Sequence, residues 1–364
     1  MRRAIWLVVA LTAALASTAL GQPRQDPFAR ADRNGDGKLS PGEVPPRMQG
    51  DFDRIDADGD GFLSRQEIRE FMAEQRGGGR PDLPPPDHAD VSYGPHERNV
   101  LDLWLAEADE PTPLVIYYHG GGFRGGDKST LQPPVLRGLL EAGISVAAAN
   151  YRLTDVAPFP AQMHDGARAL QFLRLHADEY GLDPERVAAT GGSAGSGISQ
   201  WLAFHDDLAD PGSDDEVLRQ STRLTCAAVM AAQSTYDPRV HLEMFETDQV
   251  DPAMIPFYGM DGPEDVSNPE FFALFEEASP INHVTGDDPP LFLFYPQANE
   301  ELPPNPPGPV YIHHPKFGFL MQEALHEAGV ECVLKLSEEY TPEEGRGAPM
   351  EDMVEFLVER LSAR

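Results

Sequence analysis

The residues best suited to covalent chemistry lie between Val187 and Gly197. Gly191, Ser193 and Gly195 satisfy the spacing G-x-S-x-G. That spacing sets a serine on a tight strand-to-helix corner, with its hydroxyl exposed for attack on a carbonyl. An apolar run, Val187 to Thr190, precedes the serine, and a helix-forming run, Ala194 to Ala209, follows it. Upstream, His119-Gly120-Gly121-Gly122-Phe123 directly follows the apolar stretch Leu114 to Tyr118. Consecutive glycines leave backbone N–H groups unshielded, as binding of a developing oxyanion requires. Of the histidines nearby in the pattern, His119 reads as part of the glycine loop.

A second chemistry is written near the N-terminus. Asp32, Asn34, Asp36, Lys38, Ser40 and Glu43 occupy positions 1, 3, 5, 7, 9 and 12 of one loop, with Gly37 at position 6. Asp56, Asp58, Asp60, Phe62, Ser64 and Glu67 repeat the pattern, with Gly61 at position 6. This is the spacing of an EF-hand calcium loop, twice. A hard cation takes six to eight oxygens: alternating side chains supply most, the residue at position 7 offers its carbonyl, and the final glutamate closes the shell with both oxygens. The cofactor expected is Ca2+, two ions, one per loop. Leu39 and Leu63 would pair the loops through a short strand. The spacing resembles the compact EF-hand modules of exported bacterial proteins, which implies a structural role for the metal.

These sites need elements to hold them. Residues 1–21 read as a secretory signal peptide: Arg2 and Arg3, an apolar run from Ile5 to Ala16, and a small-residue exit before Gln22. Residues 22–75 form the EF-hand pair, expected to be small and all-α, and 76–90 a Gly/Pro-rich linker. From Val91 to Arg364 strand-like and helix-like runs alternate. They open with a hairpin (Val91 to Tyr93, Val100 to Ala106) and continue through strands at Leu114 to Tyr118, Ile144 to Asn150, Val187 to Thr190, Leu224 to Ala231, Leu291 to Tyr295 and Val330 to Leu336. Helices are expected at Thr130 to Ala142, Ala161 to Asp178, Ala194 to Ala209, Phe317 to Ala328 and Met350 to Leu361. The alternation predicts an α/β fold with a mostly parallel sheet covered on both faces. Thr235 to Asp288 is an irregular, aromatic-rich excursion that either caps a pocket or fills space above the sheet. Cys226 and Cys332 fall on strands not expected to be neighbours, so free buried thiols are expected.

The His119 to Phe123 loop and the Ser193 corner together resemble the α/β-hydrolase family, in its HGGG-type esterase and lipase branch. Asn150-Tyr151-Arg152-Leu153, Phe159-Pro160-Ala161 and Asp165 add to the resemblance. It implies that Ser193 is the nucleophile and that the N–H groups of Gly121, Gly122 and Ala194 form the oxyanion hole. It also implies an acid after Leu291 to Tyr295 and a histidine after Val330 to Leu336. The slot for the acid falls nearest Asn299, and Ser337 to Pro349 holds no histidine. His314 is the first replacement base and His313 the second, because loops after parallel strands gather at one edge of the sheet. The alternative for His314 is that it anchors its loop or caps a helix. Glu300, Glu301 and Glu343-Glu344 are the orienting acids considered, and Asp165 is expected to fix the loop around Arg152.

Net charge bounds the partners. Twenty-eight Lys and Arg stand against 60 Asp and Glu, a balance of −32. Such a chain is repelled by nucleic acid and by anionic membrane surfaces, and stable membrane insertion is not expected. Two functions stand from sequence: an exported, periplasmic or secreted serine carboxylic ester hydrolase acting on a small-molecule or polysaccharide ester, or a hydrolase-fold binding protein without turnover.

Overall fold

The computed structural model describes residues 38–44, 52–56, 61–64, 67, 83–340 and 348–362. The chain divides into two compact units, Met1–Gly79 and Arg80–Arg364. In the first, β1 (Lys38–Leu39) pairs antiparallel with β2 (Leu63–Ser64), Leu39 opposite Leu63. Both leucines are buried with Val44 and Ile55, and Phe52 packs against them.

In the second unit the strands are β3 (His88–Ser92), β4 (Val100–Trp104), β5 (Thr112–Tyr118), β6 (Ser145–Ala149), β7 (Leu182–Gly192), β8 (Cys226–Met230), β9 (Leu291–Tyr295) and β10 (Cys332–Leu336). Among the described residues they form one eight-stranded sheet, in the order β10-β9-β8-β7-β5-β6-β4-β3. β4 runs antiparallel to β3 and to β6, and the remaining pairs are parallel. Helices of the unit are labelled α1 (Pro133–Glu141), α2 (Ala161–Leu175), α3 (Ala194–Phe204), α4 (Pro238–Met244), α5 (Met254–Tyr258), α6 (Phe272–Ala278), α7 (Gly308–Tyr311), α8 (Lys316–Ala328) and α9 (Ala348–Ser362).

Strand residues alternate between two buried layers, the signature of a sheet covered on both sides. Leu114, Ile116, Ala189, Val229 and Leu293 pack with Met163 of α2, Ile198 of α3 and Met321 of α8. Val115, Ala188, Ala228 and Phe292 pack with Leu136 of α1 and Leu357 of α9. In-register pairing of Tyr118 with Gly191, Gly191 with Val229 and Val229 with Leu293 brings the carboxyl ends of β5, β7, β8 and β9 to one edge. Loops that leave this edge are where ligand chemistry collects in open α/β sheets.

Several boundaries differ from expectation, and three of them have a plain local reason. β3 opens at His88, inside the stretch read as linker, and the Pro84 carbonyl accepts a hydrogen bond from Trp104 Nε1 at 2.8 Å. α1 starts at Pro133 because proline pre-sets the first turn and needs no N–H partner there. α3 stops at Phe204, where His205 turns to an extended backbone. Cys226 and Cys332 are buried free thiols on strands separated by β9. Among the described residues no helix is long and apolar enough to cross a membrane.

Candidate active site

β7 ends at Gly192, and Ser193 turns the chain with φ 53° and ψ −117°. For a residue with a Cβ this backbone is strained, and it aims the hydroxyl away from the sheet. The corner is held from two sides. Ser193 N–H donates to the Met230 carbonyl at 3.0 Å. On the other side, a Cβ added at Gly195 would lie 1.9 Å from the Tyr118 carbonyl oxygen, and one at Gly191 2.6 Å from it. The two glycines let the end of β5 pack backbone to backbone against the turn.

The glycine loop continues from β5. Gly121 adopts φ +119°, and a side chain there would meet the Gly125 carbonyl at 2.2 Å. Among the described residues the N–H groups of Gly121 and Gly122 donate to no acceptor. Ala194, at the first position of α3, likewise has no partner within its helix. All three residues line a cavity of about 430 Å³ together with Ser193. His119 builds the loop and faces no substrate space. Its Nδ1 is 2.8 Å from the Gly120 carbonyl, its Nε2 is 3.1 Å from Arg98 Nη2, and its ring stacks on Tyr151. Burial pushes its pKa down to about 4, so it is neutral and a fixed strut.

The histidine that stands beside Ser193 is His313, not the preferred His314. His313 Nε2 lies 2.9 Å from Ser193 Oγ, within range of direct proton transfer. Both residues follow α7 on the loop after β9, and their side chains diverge. His314 is buried, with Nε2 3.0 Å from the Glu300 carbonyl and Nδ1 accepting from Lys316 N–H at 3.1 Å. Its ring meets Phe245 edge-on. It anchors the loop and caps α8, the alternative role weighed for it. Gln233 Nε2 donates to the Ile312 carbonyl at 2.6 Å and steadies the turn that presents His313.

Asp251 was not among the acids expected. It leaves the excursion after β8, is buried, and lines the same cavity as Ser193 and His313. Its Oδ1 accepts from Ala253 N–H at 2.8 Å. Burial raises its pKa, while that hydrogen bond, Arg124 and His313 pull it down. In turn, burial lowers the pKa of His313 and the Asp251 charge raises it. The sequence signal was faint: an Asp-Pro pair inside an irregular stretch, without a motif around it. The expected acids lie elsewhere. Glu300 and Glu301 are exposed, and Glu300 offers only its carbonyl, to His314. Asn299 N–H bonds Glu338, and Glu343-Glu344 fall outside the described residues. Asp165 holds Arg152 through Nε and Nη2 and accepts its backbone N–H, as expected.

The excursion both caps and fills. Phe257 of α5 lines the cavity and stacks on Phe123 at 4.5 Å. Tyr258 and Phe275 are buried behind it, and Phe245 stacks on Tyr311.

With these distances set, the family assignment follows. The BD-FAE family matches residues 101–306, more than half of the chain. The chain belongs to the BD-FAE family of HGGG-type α/β hydrolases. The match takes in the glycine loop, Ser193 and Asp251, and ends before His313. The EF hand family matches residues 25–44 and 50–72. The chain is 29% identical to "Probable carboxylic ester hydrolase LipM" of Mycobacterium tuberculosis, over 63% of its own length and 54% of the relative's. It is 28% identical to "Esterase LipQ" of the same organism, over 59% and 49%. Thus it spans about half the length of these curated relatives. Among solved structures, a truncated carbohydrate esterase from gut microbiota superposes with TM-score 0.59 at 19% identity, covering 78% of this chain and 99% of that one. Thermogutta terrifontis esterase 2, propionate-bound, gives 0.55 at 20%, covering 78% and 95%. These two share the fold.

In the EF-hand unit the described loop residues have the geometry the spacing requires. Gly61 adopts φ +80°, and its N–H donates to Asp56 Oδ2 at 2.9 Å. Glu43 Oε2 accepts from Ser40 N–H at 3.0 Å, and Glu67 Oε2 from Ser64 N–H at 2.8 Å. The described carboxylates at positions 1 and 12 each fold back onto a backbone N–H of their own loop. Asp32, Asn34, Asp36, Asp58 and Asp60, like residues 1–21, lie outside the described residues.

Proposed function

We propose that the C-terminal unit is a serine hydrolase of carboxylic esters, with Ser193 as nucleophile, His313 as general base and Asp251 as the acid that charges and orients the base. The observation that carries this is the 2.9 Å approach of His313 Nε2 to Ser193 Oγ on a strained corner. Ser193 Oγ attacks the ester carbonyl as His313 takes its proton. The N–H groups of Gly121, Gly122 and Ala194 receive the negative charge that forms on the carbonyl oxygen. His313 then protonates the departing alkoxide, and water repeats the sequence to free the acid. Asp251 and His313 have no mutual hydrogen bond here. Catalytic hydrogen bonds often tighten only with substrate present.

A chain-order argument supports Asp251. Hydrolases of this fold place their triad as serine, acid, histidine, and Ser193, Asp251 and His313 keep that order. Each partner leaves the strand one position earlier than the usual slots: the acid after β8, the histidine after β9. The cavity of about 430 Å³ admits a short acyl group and part of an alcohol. Small esters and ester-substituted polysaccharides are the substrate classes we favour, the latter supported by the likeness to a carbohydrate esterase fold.

A fluorophosphonate probe should label the wild-type chain and spare Ser193→Ala, with hydrolysis of p-nitrophenyl acetate following the same pattern. Absence of both in the wild type would favour a binding protein without turnover. We further propose that the N-terminal unit binds two Ca2+ ions through the twelve loop positions named above, supported by the described loop geometry. Export to the periplasm or beyond is proposed on Arg2, Arg3 and the apolar run after them.

A further inference from the structure

Away from Ser193, three side chains converge where α3 ends against the excursion. They are His205, which follows α3, Glu277 on α6, and His283 in the turn after α6. One ligand atom from each lies within 4.8 Å of the others. We propose that they form a site for a late first-row divalent cation, with Zn2+ as the type case.

The tautomers carry the argument. The Glu277 carbonyl accepts Trp201 Nε1–H at 3.0 Å and lies 2.8 Å from His283 Nε2. The carbonyl can only accept, so His283 Nε2 carries a proton, and Nδ1 is the ring atom left to bind an ion. His205 Nδ1 lies 2.9 Å from the Asp206 carbonyl, which can only accept, so Nδ1 carries that ring's proton. His205 Nε2 is then the ring atom left over, and it stands 2.9 Å from Glu277 Oε1. At that distance a cation lies between the two atoms, either a second proton on the imidazole or a metal ion, and the nearby His283 ring offers the metal a third ligand. Ligand atoms bonded to one tetrahedral zinc ion at about 2.0–2.1 Å are about 3.3–3.4 Å apart, so the His205–Glu277 pair opens by a few tenths of an ångström to admit the ion.

Each imidazole also donates its N–H to a backbone carbonyl, the outer contact that metal-ligating histidines characteristically make. The two rings lie 4.7 Å apart, and Trp201 packs 4.1 Å from His205. Two imidazoles and a carboxylate suit zinc better than calcium, which takes oxygen ligands. Glu277 is half exposed, so an ion has a path from solvent, and three protein ligands leave a fourth position for water. The ion would fasten the excursion to α3, the helix that follows Ser193, which assigns it a stabilising role.

The test is Co2+ and Zn2+ titration of the full chain in excess Ca2+, so that the EF-hand loops are filled. One Co2+ should bind with the visible absorption of a low-coordinate nitrogen site, and Zn2+ should displace it. His205→Ala and His283→Ala should each weaken binding by roughly 100-fold or more, and Zn2+ should raise the melting temperature of the wild type only. His176→Ala removes a histidine paired with Glu179 at 2.9 Å, without a third ligand, and should change nothing. No absorption band in the wild type, or equal Zn2+ uptake by His283→Ala with its circular dichroism intact, would overturn the site and leave an ion pair between His205 and Glu277. Either result leaves the reading of Ser193 unaffected.

Discussion

For Ser193 to attack a carbonyl its proton must leave as the new bond forms, and in the mechanism we propose His313 Nε2, 2.9 Å away, receives it. His313→Ala should reduce kcat on p-nitrophenyl acetate by roughly a thousandfold. His314→Ala should leave kcat within a few-fold and lower stability by about 2 kcal/mol, the combined loss of a buried hydrogen bond and a helix cap. Chemical denaturation with parallel kinetics separates the two. Asp251 makes a sharper claim. Turnover needs neutral His313, so activity falls as pH drops through its pKa. Burial sets that pKa below the ordinary histidine value, and the Asp251 charge opposes the shift. Removing the charge in Asp251→Asn should move the acid limb of kcat/KM to still lower pH while kcat falls. An unmoved limb would show that Asp251 only packs the loop, beside Gly308, whose Cβ would lie 2.6 Å from Asp251 Oδ2.

The corner between β7 and α3 depends on backbone contact with the end of β5, and its glycines have little freedom to change. Gly195→Ala puts a methyl group where the Tyr118 carbonyl already stands. The expected cost is about 3 kcal/mol or more, read as a lower urea midpoint, with fluorophosphonate labelling lost even where the protein still folds. The loop after β9 is built on a different principle. α7, the buried His314 and the cap on α8 hold it, and His313 is the residue this scaffold presents to the cavity. Neighbouring side chains diverge, so His313 faces Ser193 and the next residue, His314, faces Phe245. No periodicity in that Pro-rich stretch reveals this divergence.

Two units joined by a Gly/Pro-rich stretch should melt as two transitions. Removing Ca2+ with a chelator should lower the first, belonging to the EF-hand unit, whose described core is Leu39, Val44, Ile55 and Leu63. Calorimetry with and without chelator checks this, and a calcium-insensitive scan would count against metal in the loops. Ester turnover of the second unit should be unchanged by the same treatment, since the residues assigned to it lie within 121–313.

Much of this protein is legible without coordinates. Patterns that live in short spacings were readable in order: the EF-hand loops, the pairing of Leu39 with Leu63, the glycine loop, and the serine corner. The alternation of apolar runs dictated a parallel sheet buried on both faces, because strands covered by helices on both sides leave no polar face. What the tertiary structure decided was which side chains stand beside Ser193. Asp251 and His313 are 62 positions apart in the numbering, on irregular loops after different strands, and neither carries a local pattern. Only the parallel register of β7, β8 and β9 brings those loops to one edge. A base and its acid are defined by distance to a proton, and that distance is set by the sheet, whatever the local sequence around each residue.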